Sequence, residues 1–280
     1  MKTLIVLCII FLSLQLNARD NIQDTRIALE KLDIRHTEDY LRTTKILHIQ
    51  YKFIRERTAL HALKHLTQLE ELVIYQTSGV SGDVLSFLPH LKKLKRLAIV
   101  NSGLDNKGLK YVGMLHQLEE LDISNNKALR DEDLYELRSL VRLKILGLSF
   151  LPLMNGKGLS HLSQMNKLLR LNFSCGNFDD TGMMYLRHFP ELKDLDINRT
   201  KITDKGMPFI RFLKNLESIN FFGNGLTDKG VLYLLTLKKL QVIDLSYVFV
   251  SEDTRNKLRQ TFPNARLSIG DLGGSRPVNR

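Results

Sequence analysis

Two stretches of this 280-residue chain nearly match: "LKDLDINRTKITDKG" at residues 192–206 and "LESINFFGNGLTDKG" at residues 216–230. They begin 24 residues apart, open with the same spacing of apolar residues and close with the same four letters, TDKG. An aspartate beside a lysine and a glycine can belong to an active site, to a turn that binds phosphate, or to a building unit that the chain repeats. The residues that occupy the same position in successive repeats, called columns below, decide between these possibilities.

The chain from residue 44 onward follows this period of 24 or 25 residues. In each unit the fourth and sixth positions have strand spacing, so their side chains share one face of a strand. Apolar residues recur at positions 16, 19 and 22, for example Leu109, Val112 and Leu115, which predicts a helix with one buried stripe. Because one unit cannot bury both stripes, the pattern predicts a solenoid of stacked units, with strands on its concave side and helices on its convex side. The units begin at Thr44, Leu69, Leu94, Leu118, Leu143, Leu168, Leu192, Leu216 and Leu240, and a last partial unit begins at Asn264.

The TDKG letters fall in columns that predict the start of a helix. Position 12 is Ser, Thr, Asp or Asn in seven of eight units, and these residues cap helix N-termini. Position 13 is acidic in five units, which suits the positive end of a helix dipole. Position 15 is glycine in five units, which predicts close packing of the turn on its neighbour. Since neither catalysis nor phosphate binding needs copies along a solenoid, the motif is interpreted as structural. The columns are Ser81, Asp105, Arg130, Asn155, Asp179, Thr203, Thr227 and Ser251 at position 12; Asp131, Asp180, Asp204, Asp228 and Glu252 at position 13; and Gly108, Gly158, Gly182, Gly206 and Gly230 at position 15.

The chain is basic, with 41 Lys and Arg against 30 Asp and Glu and a formal net charge of +11, which permits attraction to anionic partners. Many of the basic residues follow the helical stripe, where positive charge opposes the negative end of the helix dipole. Nucleic-acid binding requires a contiguous basic face with aromatic or base-reading side chains. The sequence indicates no such face, so no nucleic-acid partner is predicted.

The first 18 residues are typical of a secretory signal peptide. One lysine is followed by an apolar run from Leu4 to Leu16 and by a small residue, Ala18, before the expected cleavage site. A membrane span needs about 20 apolar residues, so no span is predicted after cleavage; an uncleaved anchor is the alternative. Cleavage removes Cys8 and leaves Cys175, which excludes an intramolecular disulfide. An exported protein without disulfides suits a bacterial envelope or bacterial secretion, so the predicted localisation is secreted or periplasmic.

The predicted domain organisation has four parts. Residues 1–18 form the signal peptide, and residues 19–43 form an N-terminal capping segment with a short helix and an edge segment. Residues 44–270 form the solenoid, with about nine repeats and a terminal strand. Residues 271–280 form a flexible tail.

Residues 192–210, "LKDLDINRTKITDKGMPFI", are close to the repeat LxxLxLxxTxITDKGLxxLxxL. By this pattern the chain resembles leucine-rich-repeat proteins of the cysteine-containing subtype, in a bacterial-type exported form. Such repeats occur on substrate receptors of eukaryotic ubiquitin ligases and in related bacterial proteins. The resemblance covers residues 44–270 and implies an α/β fold: a right-handed leucine-rich-repeat solenoid (horseshoe), with a parallel sheet on the concave face and short helices on the convex face. For function it implies mainly protein binding.

Two departures from the family pattern predict local irregularity. The units at Leu118 and Leu143 carry an extra residue, and Pro152 lies in the second of these longer turns. Position 9, which is Cys or Asn in the family, is often neither here, so the polar ladder beneath the strands is expected to be partial. The position 9 column is Thr77, Ser102, Asn126, Leu151, Gly176, Thr200, Asn224 and Val248.

Binding residues are expected on the concave face, at strand positions 2, 3, 5, 7 and 8. Charges at positions 2, 3, 5 and 8 nearly cancel, with eight positive and nine negative, so this face differs from the basic remainder. The amides and carboxylates at position 5 could bind a partner's basic groups or bond across neighbouring strands, and both interpretations stay open. Aromatic and arginine side chains are typical interface anchors. The predicted contact residues are Tyr75, Asp122, Phe150, Arg170, Asn172, Asp196, Arg199, Asn220, Phe222, Asp244 and Tyr247.

An aromatic column at position 18 lies on the flank of the predicted helices. These rings are expected to pack between adjacent helices, with an exposed ridge for a second partner as the alternative. The aromatic members are Phe87, Tyr111, Tyr185, Phe209 and Tyr233.

No catalytic residue, metal site or cofactor is predicted. His61 and His65 are four residues apart but lack nearby ligands at metal spacing. Cys175 has no evident base beside it in sequence and is interpreted as a passive thiol. Phosphate-binding, nucleophile-elbow and zinc-protease motifs are missing from the sequence.

The sequence therefore predicts an exported, non-catalytic scaffold that recognises a protein or peptide through its concave strand face. One alternative is a ubiquitin-ligase-type substrate adaptor or a host-directed effector, which the repeat subtype suggests. The other is an envelope or adhesive protein that binds glycans through its aromatic side chains.

Overall fold

The computed structural model describes residues 23–27, 29–30, 37, 43–53 and 57–270. The predicted signal peptide and tail lie outside the described residues, and so does most of the capping segment.

Residues 23–27 and 29–30, which fall in the predicted capping segment, are helical. The side chain of Leu29 is fully buried. The Thr25 hydroxyl donates a hydrogen bond to the carbonyl of Ala62, 3.1 Å away. These two contacts attach the segment to the first repeat.

Ten strands form one parallel sheet whose order follows the chain from β1 to β10, as the repeat predicts. Each strand pairs with the next at the same unit positions; Leu171 lies opposite Leu195, for example, and both occupy position 4. The strands are β1 (Ile46–Gln50), β2 (Glu71–Tyr75), β3 (Arg96–Val100), β4 (Glu120–Asp122), β5 (Ile145–Gly147), β6 (Arg170–Asn172), β7 (Asp194–Asp196), β8 (Ser218–Asn220), β9 (Val242–Leu245) and β10 (Arg266–Ile269).

One continuous hydrophobic core runs between the sheet and the convex layer. Positions 4 and 6 fill it from the sheet side, and Leu195 and Ile197 are fully buried there. Leu109 and Val112 of the convex layer are also fully buried. Burying one such side chain contributes about 2 kcal/mol, so stacking the repeats provides the stability that a single unit lacks.

The convex layer consists largely of 3₁₀ helices, a detail that the general prediction of short helices did not include. The apolar stripe at positions 16, 19 and 22 has a strict spacing of three, and the 3₁₀ helix has three residues per turn. The α-helices are Asn106–Gly113, Asp180–Tyr185, Asp228–Val231 and Glu252–Thr261. The 3₁₀ helices are Arg57–His65, Gly82–Leu85, Leu88–His90, Asp131–Leu137, Lys157–Leu162, Leu186–His188, Met207–Phe212 and Leu232–Thr236.

The aspartate of TDKG links consecutive repeats. The carboxylate of Asp204 accepts hydrogen bonds from the backbone N–H of Thr227, at 2.9 Å, and from the Thr227 hydroxyl, at 2.5 Å. Asp180 accepts the same pair of bonds from Thr203, at 2.8 and 2.6 Å. The acidic column thus holds the next turn in place, in addition to any effect on its own helix.

The glycine of TDKG makes room for that carboxylate. A Cβ atom on Gly230 would lie 2.2 Å from Oδ1 of Asp204, and one on Gly206 would lie 2.5 Å from Oδ1 of Asp180. Both distances are far below van der Waals contact. The predicted close packing at position 15 is therefore confirmed, and in these two units its partner is the aspartate of the preceding repeat.

Helix capping by position 12 is confirmed in some units and wrong in others. The side chains of Asp105, Asp179 and Ser251 accept bonds from the first turn of the helix that follows. Thr227 makes no such bond; Thr203 accepts the N–H of Lys205 at 3.3 Å, but the helix that follows begins only at Met207. In both units the threonine hydroxyl also donates to the aspartate of the preceding repeat.

The ladder at position 9 is interrupted in the middle of the solenoid, as predicted. Asn126 bonds to five backbone groups, among them the N–H groups of Ser102 and Leu104. Leu151 occupies the same position two strands from Ser102 and is fully buried. There the Ser149 hydroxyl bonds to Asn172 and Ser174 at 2.5 and 3.0 Å. Serines at position 7 thus provide the polar contacts between these repeats.

Candidate functional site on the concave sheet face

The charged side chains at the starts of the strands pair with one another. At position 2, Lys144 lies 2.7 Å from Glu119, and Lys193 lies 2.9 Å from Glu217. At position 3, the predicted contact residue Arg170 lies 3.0 Å from Asp194. At positions 2 and 3, opposite charges therefore form direct ion pairs between neighbouring strands.

These pairs shift the titration of their carboxylates. The hydrogen bond from Lys144 holds the pKa of Glu119 below its ordinary value of 4.5, and a hydrogen bond from Lys45 lowers the pKa of Glu70. Since the folded pKa is the lower one, the stabilisation is fully present above about pH 4.5 and is lost as the pH falls through the folded pKa. Exposed pairs of this kind contribute little.

The polar side chains at position 5 bond to their own chain two residues further on. Oδ1 of Asp122 accepts the N–H of Ser124 at 2.9 Å, and Oδ1 of Asn220 accepts the N–H of Phe222 at 3.0 Å. This is the local turn that Asp and Asn favour. Asn172 also accepts across the strands from the Ser149 hydroxyl, which lies at position 7 and is not a position 5 residue. The same local bond is made by Asn172, Asp196 and Asp244 to Ser174, Asn198 and Ser246.

Each repeat has a left-handed residue at position 8, directly after the strand. Gly223 has a φ of 67°, and Phe150, Arg199 and Tyr247 have φ of 56°, 49° and 61° although they carry large side chains. The backbone N–H groups of Phe150, Arg199 and Gly223 donate to a carbonyl of the next repeat, as Arg199 does to Phe222 at 2.7 Å. Left-handed backbone is costly for a residue with a Cβ atom, so the ladder holds these side chains in place against local strain.

Several position 8 side chains are exposed. Phe150 is 53 % exposed and Tyr247 is 61 % exposed, while Arg199 also faces solvent. Tyr51 is 70 % exposed and contacts Tyr75 edge to face with ring centroids 5.8 Å apart. The asparagine or glycine found at position 8 in other repeats was the signal for this conformation, because these residues tolerate positive φ.

The structure brings some predicted contact residues together and separates others. Tyr75 lies near the N-terminal end of the sheet with Tyr51. Phe150 lies in the middle of the solenoid, three strands from Tyr75. Arg199 and Phe222 lie together at the C-terminal end, with the guanidinium 5.0 Å from the ring centroid.

Phe222 also contacts Tyr247, with ring centroids 4.8 Å apart and planes at 59°. Three side chains from three successive strands thus form one surface. The polar position 5 residues of the same strands, Asp196 and Asp244, are half-buried beside it.

The aromatic column at position 18 packs against the core, as predicted. Phe87 is 1 % exposed, and Tyr111, Tyr185, Phe209 and Tyr233 are partly buried against the core. The Tyr111 hydroxyl donates to Asp83 at 2.9 Å, which raises the pKa of Tyr111. This column stiffens the convex layer.

Reactive side chains in the described part of the chain have ordinary contacts. His61 Nε2 lies 3.1 Å from the Asp83 carbonyl oxygen and 3.1 Å from the Ser86 hydroxyl. The Cys175 thiol lies 3.6 Å from Oδ1 of Asn198. No group of three or more His, Cys, Asp and Glu residues within the described ranges is placed to hold a metal ion. None of the helices described is long and apolar enough to cross a membrane.

Comparison with known proteins agrees with the repeat. The family model "Leucine Rich repeat" matches residues 164–186, 190–208 and 212–235. A search of curated protein sequences gives no significant match. Among solved structures, an internalin (inlF) from Listeria monocytogenes is similar with a TM-score of 0.52 and 18% identity, covering 77% of this chain and 71% of that one.

The internalin C2 from the same organism gives a TM-score of 0.58 at 18% identity and covers 81% of this chain and 91% of that one. At this identity the likeness concerns the fold. It agrees with the ten parallel strands, the buried leucine columns and the convex helices. The chain has the fold of a leucine-rich-repeat solenoid, and the family model identifies leucine-rich repeats within residues 164–235.

Proposed function

We propose that this chain is a non-catalytic scaffold that binds a protein or peptide partner on its concave sheet face. Solenoids of this kind offer an extended surface built on rigid strands. The observation that carries the proposal is the row of large exposed side chains held in left-handed backbone at position 8. Asparagine or glycine would occupy these positions at lower cost, so the large side chains are better explained by contact with a partner than by the fold.

The predicted contact residues are expected to contribute unequally. Arg170 already pairs with Asp194, so a partner would have to replace that ion pair. Phe150 and Tyr247 are exposed and have no such pair, which makes them better anchors. The position 5 residues hold the strand ends through one oxygen and can offer the remaining atoms to a partner. These position 5 residues are Asp122, Asn172, Asp196, Asn220 and Asp244.

We further propose that the chain is exported, with cleavage after Ala18. The mature chain would then consist of a capping segment at 19–43, the solenoid at 44–270 and a tail at 271–280. A bacterial host-directed effector is compatible with this route. A ubiquitin-ligase-type adaptor has the repeat subtype as its sole support, and a glycan-binding adhesin would use the same aromatic side chains.

Site-specific photo-crosslinking tests the proposal. A photoreactive phenylalanine analogue replaces Tyr75, Phe150 or Tyr247 on the concave face, one at a time, in the full chain expressed in its own cells. Tyr135 and Phe212, which are 49 % and 41 % exposed on the convex layer, are the matched control positions. We expect the concave positions to crosslink to one and the same protein and the convex positions to give no such product.

Crosslinks from the convex positions alone would contradict the proposal. Concave positions without a protein product, combined with binding of the chain to a glycan array, would favour the adhesin instead. Mass spectrometry of the same preparation gives the N-terminal residue, which is Arg19 if cleavage follows Ala18.

A further inference from the structure

The C-terminal end of the concave face carries a surface that the other repeats lack. It consists of Asp196, Arg199, Phe222, Asp244 and Tyr247, which we call the C-terminal cluster. The guanidinium of Arg199 lies over the Phe222 ring at 5.0 Å, and the Phe222 and Tyr247 rings are in contact with centroids 4.8 Å apart. The Tyr247 ring remains 61 % exposed, so one face of the aromatic pair is open to a ligand.

Backbone conformation indicates that two of these side chains are retained against local preference. Arg199 and Tyr247 have φ of 49° and 61°, and Gly223 between them in the row has a φ of 67°. The middle repeat thus uses the residue that suits the conformation, while its two neighbours do not. Strain of this kind is found at functional sites when the surrounding structure enforces it.

The two carboxylates of the cluster differ from those at the starts of the strands. Asp194 and Glu217 are paired with Arg170 and Lys193. Asp196, by contrast, uses Oδ1 for Asn198, and no cation among the residues that the structure describes is paired with it.

Asp244 is in the same state. Its Oδ1 accepts the N–H of Ser246 at 2.8 Å, and no described cation is paired with its carboxylate. The sheet register runs Asp196, Asn220, Asp244 across three neighbouring strands. The two carboxylates are therefore about 10 Å apart, at two strand spacings, and an amide lies between them.

We propose that the C-terminal cluster binds a lysine or arginine side chain of an extended partner peptide. The cation lies on the open face of the Tyr247 ring and pairs with the free oxygen of Asp244, and a second basic residue reaches Asp196. Cation–π contact and an unpaired carboxylate attract the same group. Arg199 already rests on Phe222 in this way, which shows that the aromatic pair accepts a guanidinium. This inference rests on the proposed function and specifies the partner's chemistry.

Fluorescence anisotropy with the full chain tests the inference. The probes are fluorescein-labelled Gly-Ser-Arg-Ser-Arg-Ser-Gly and two versions in which both arginines are replaced by neutral citrulline or by glutamate. We expect the arginine peptide to bind with a Kd below about 1 mM and the citrulline peptide to bind about tenfold more weakly. Binding of the arginine peptide should weaken further as salt is raised from about 0.05 M to about 0.5 M.

Two variants separate recognition from folding. Asp244→Asn keeps the Oδ1 acceptor for Ser246, and Tyr247→Asn places a residue that tolerates positive φ. Each should lower the affinity for the arginine peptide about tenfold without lowering Tm. Asp253→Asn and Phe212→Asn change an exposed aspartate and an exposed aromatic residue of the convex layer, outside the concave face; they are the control variants and should leave the affinity unchanged.

Several results would overturn the inference. These are equal binding of the arginine and citrulline peptides, no binding of the arginine peptide below about 1 mM, tighter binding of the glutamate peptide, and equal losses in the control variants. Loss of self-association in Asp244→Asn with unchanged peptide binding would assign the cluster to a second copy of the chain. If crosslinking still places a protein on the concave face in these cases, the proposed function stands and only the basic specificity fails.

Discussion

The first three strands and the strands that follow them differ in length. β1, β2 and β3 have five residues each and run to position 7, whereas β4 to β8 have three and end at position 5. In the longer strands position 5 is His48, Val73 or Ala98, none of which bonds to the backbone two residues on. In β4 and in β6 to β9, Asp or Asn at this position takes the N–H of position 7, as Asn220 takes that of Phe222. The strands with this bond are shorter than the first three: β4 and β6 to β8 end at position 5, and β9 ends one residue later, at Leu245.

β5 is the instructive exception within the second group. Its position 5 residue is Gly147, which has no side chain to offer, and yet the strand also ends there. The Ser149 N–H donates instead to the Ser124 hydroxyl of the preceding repeat, at 3.0 Å. The position 7 N–H is thus diverted to a side-chain oxygen in this repeat too.

The two regions are also tied together by different means. The N-terminal repeats share a buried polar column in which Thr77 bonds to Ser102 and Ser102 bonds to Asn126. The C-terminal repeats add exposed links in which an aspartate such as Asp204 holds the next turn. A buried bond that is lost costs more than an exposed one, so the two regions should respond differently to equivalent mutations.

The largest effect is expected from Asn126→Ala. It removes five hydrogen bonds from a residue that is 1 % exposed, and it should lower the free energy of unfolding by about 3 kcal/mol. Asn224→Ala, its C-terminal counterpart with three such bonds, should cost about 2 kcal/mol. Urea unfolding of both variants checks the order. Equal costs would show that the buried column does not distinguish the two regions.

A smaller effect is expected from Gly230→Ala, which breaks the link of the C-terminal repeats. The new methyl group would displace the Asp204 carboxylate from Thr227, at a cost of about 2 kcal/mol. Gly225→Ala is the control in the same repeat, because its Cβ would meet its nearest neighbour, the Ile202 carbonyl oxygen, at an ordinary 3.8 Å. Thermal unfolding of the two variants gives the comparison. A control as unstable as Gly230→Ala would remove the carboxylate from the explanation.

The smallest effect is expected from Asn220→Ala, which leaves the Phe222 N–H without its acceptor. The expected cost is about 1 kcal/mol, with faster hydrogen exchange at Phe222. Asn220→Asp retains an acceptor oxygen and should exchange like the parent protein. If the aspartate variant exchanged as fast as the alanine variant, the position 5 side chain would not be what ends β8.

Much of the fold was predictable because the repeat samples each position many times. Position 4 is Leu or Ile in every unit, so its burial follows from the pattern alone; Leu195 and Ile219 are both fully buried. The helix type was not predictable, since the same apolar spacing of three occurs at Leu109 and Val112 in an α-helix and at Leu159 and Leu162 in a 3₁₀ helix. A helix prediction by apolar stripe does not by itself separate the two helix types.

The candidate site was less predictable. Arg170 and Arg199 were both predicted contact residues, but the first is paired with Asp194 and the second lies over the Phe222 ring. Whether an arginine forms an ion pair or a contact with an aromatic ring depends on the side chain on the neighbouring strand. That neighbour is about 24 residues distant along the chain, and the choice of rotamer decides the contact.

The sequence by itself determined the periodic features of this protein: the parallel strand order, the apolar core and the glycine at close approach. These follow from local spacing repeated in register, and burial allows few alternatives. Tertiary structure alone decided that the TDKG aspartate bonds to the next repeat, that the strand-start charges cancel in pairs, and that Arg199, Phe222 and Tyr247 form one surface. The physical reason is that hydrogen bonds and ion pairs depend on distances of a few ångströms between repeats, which a one-dimensional pattern does not contain.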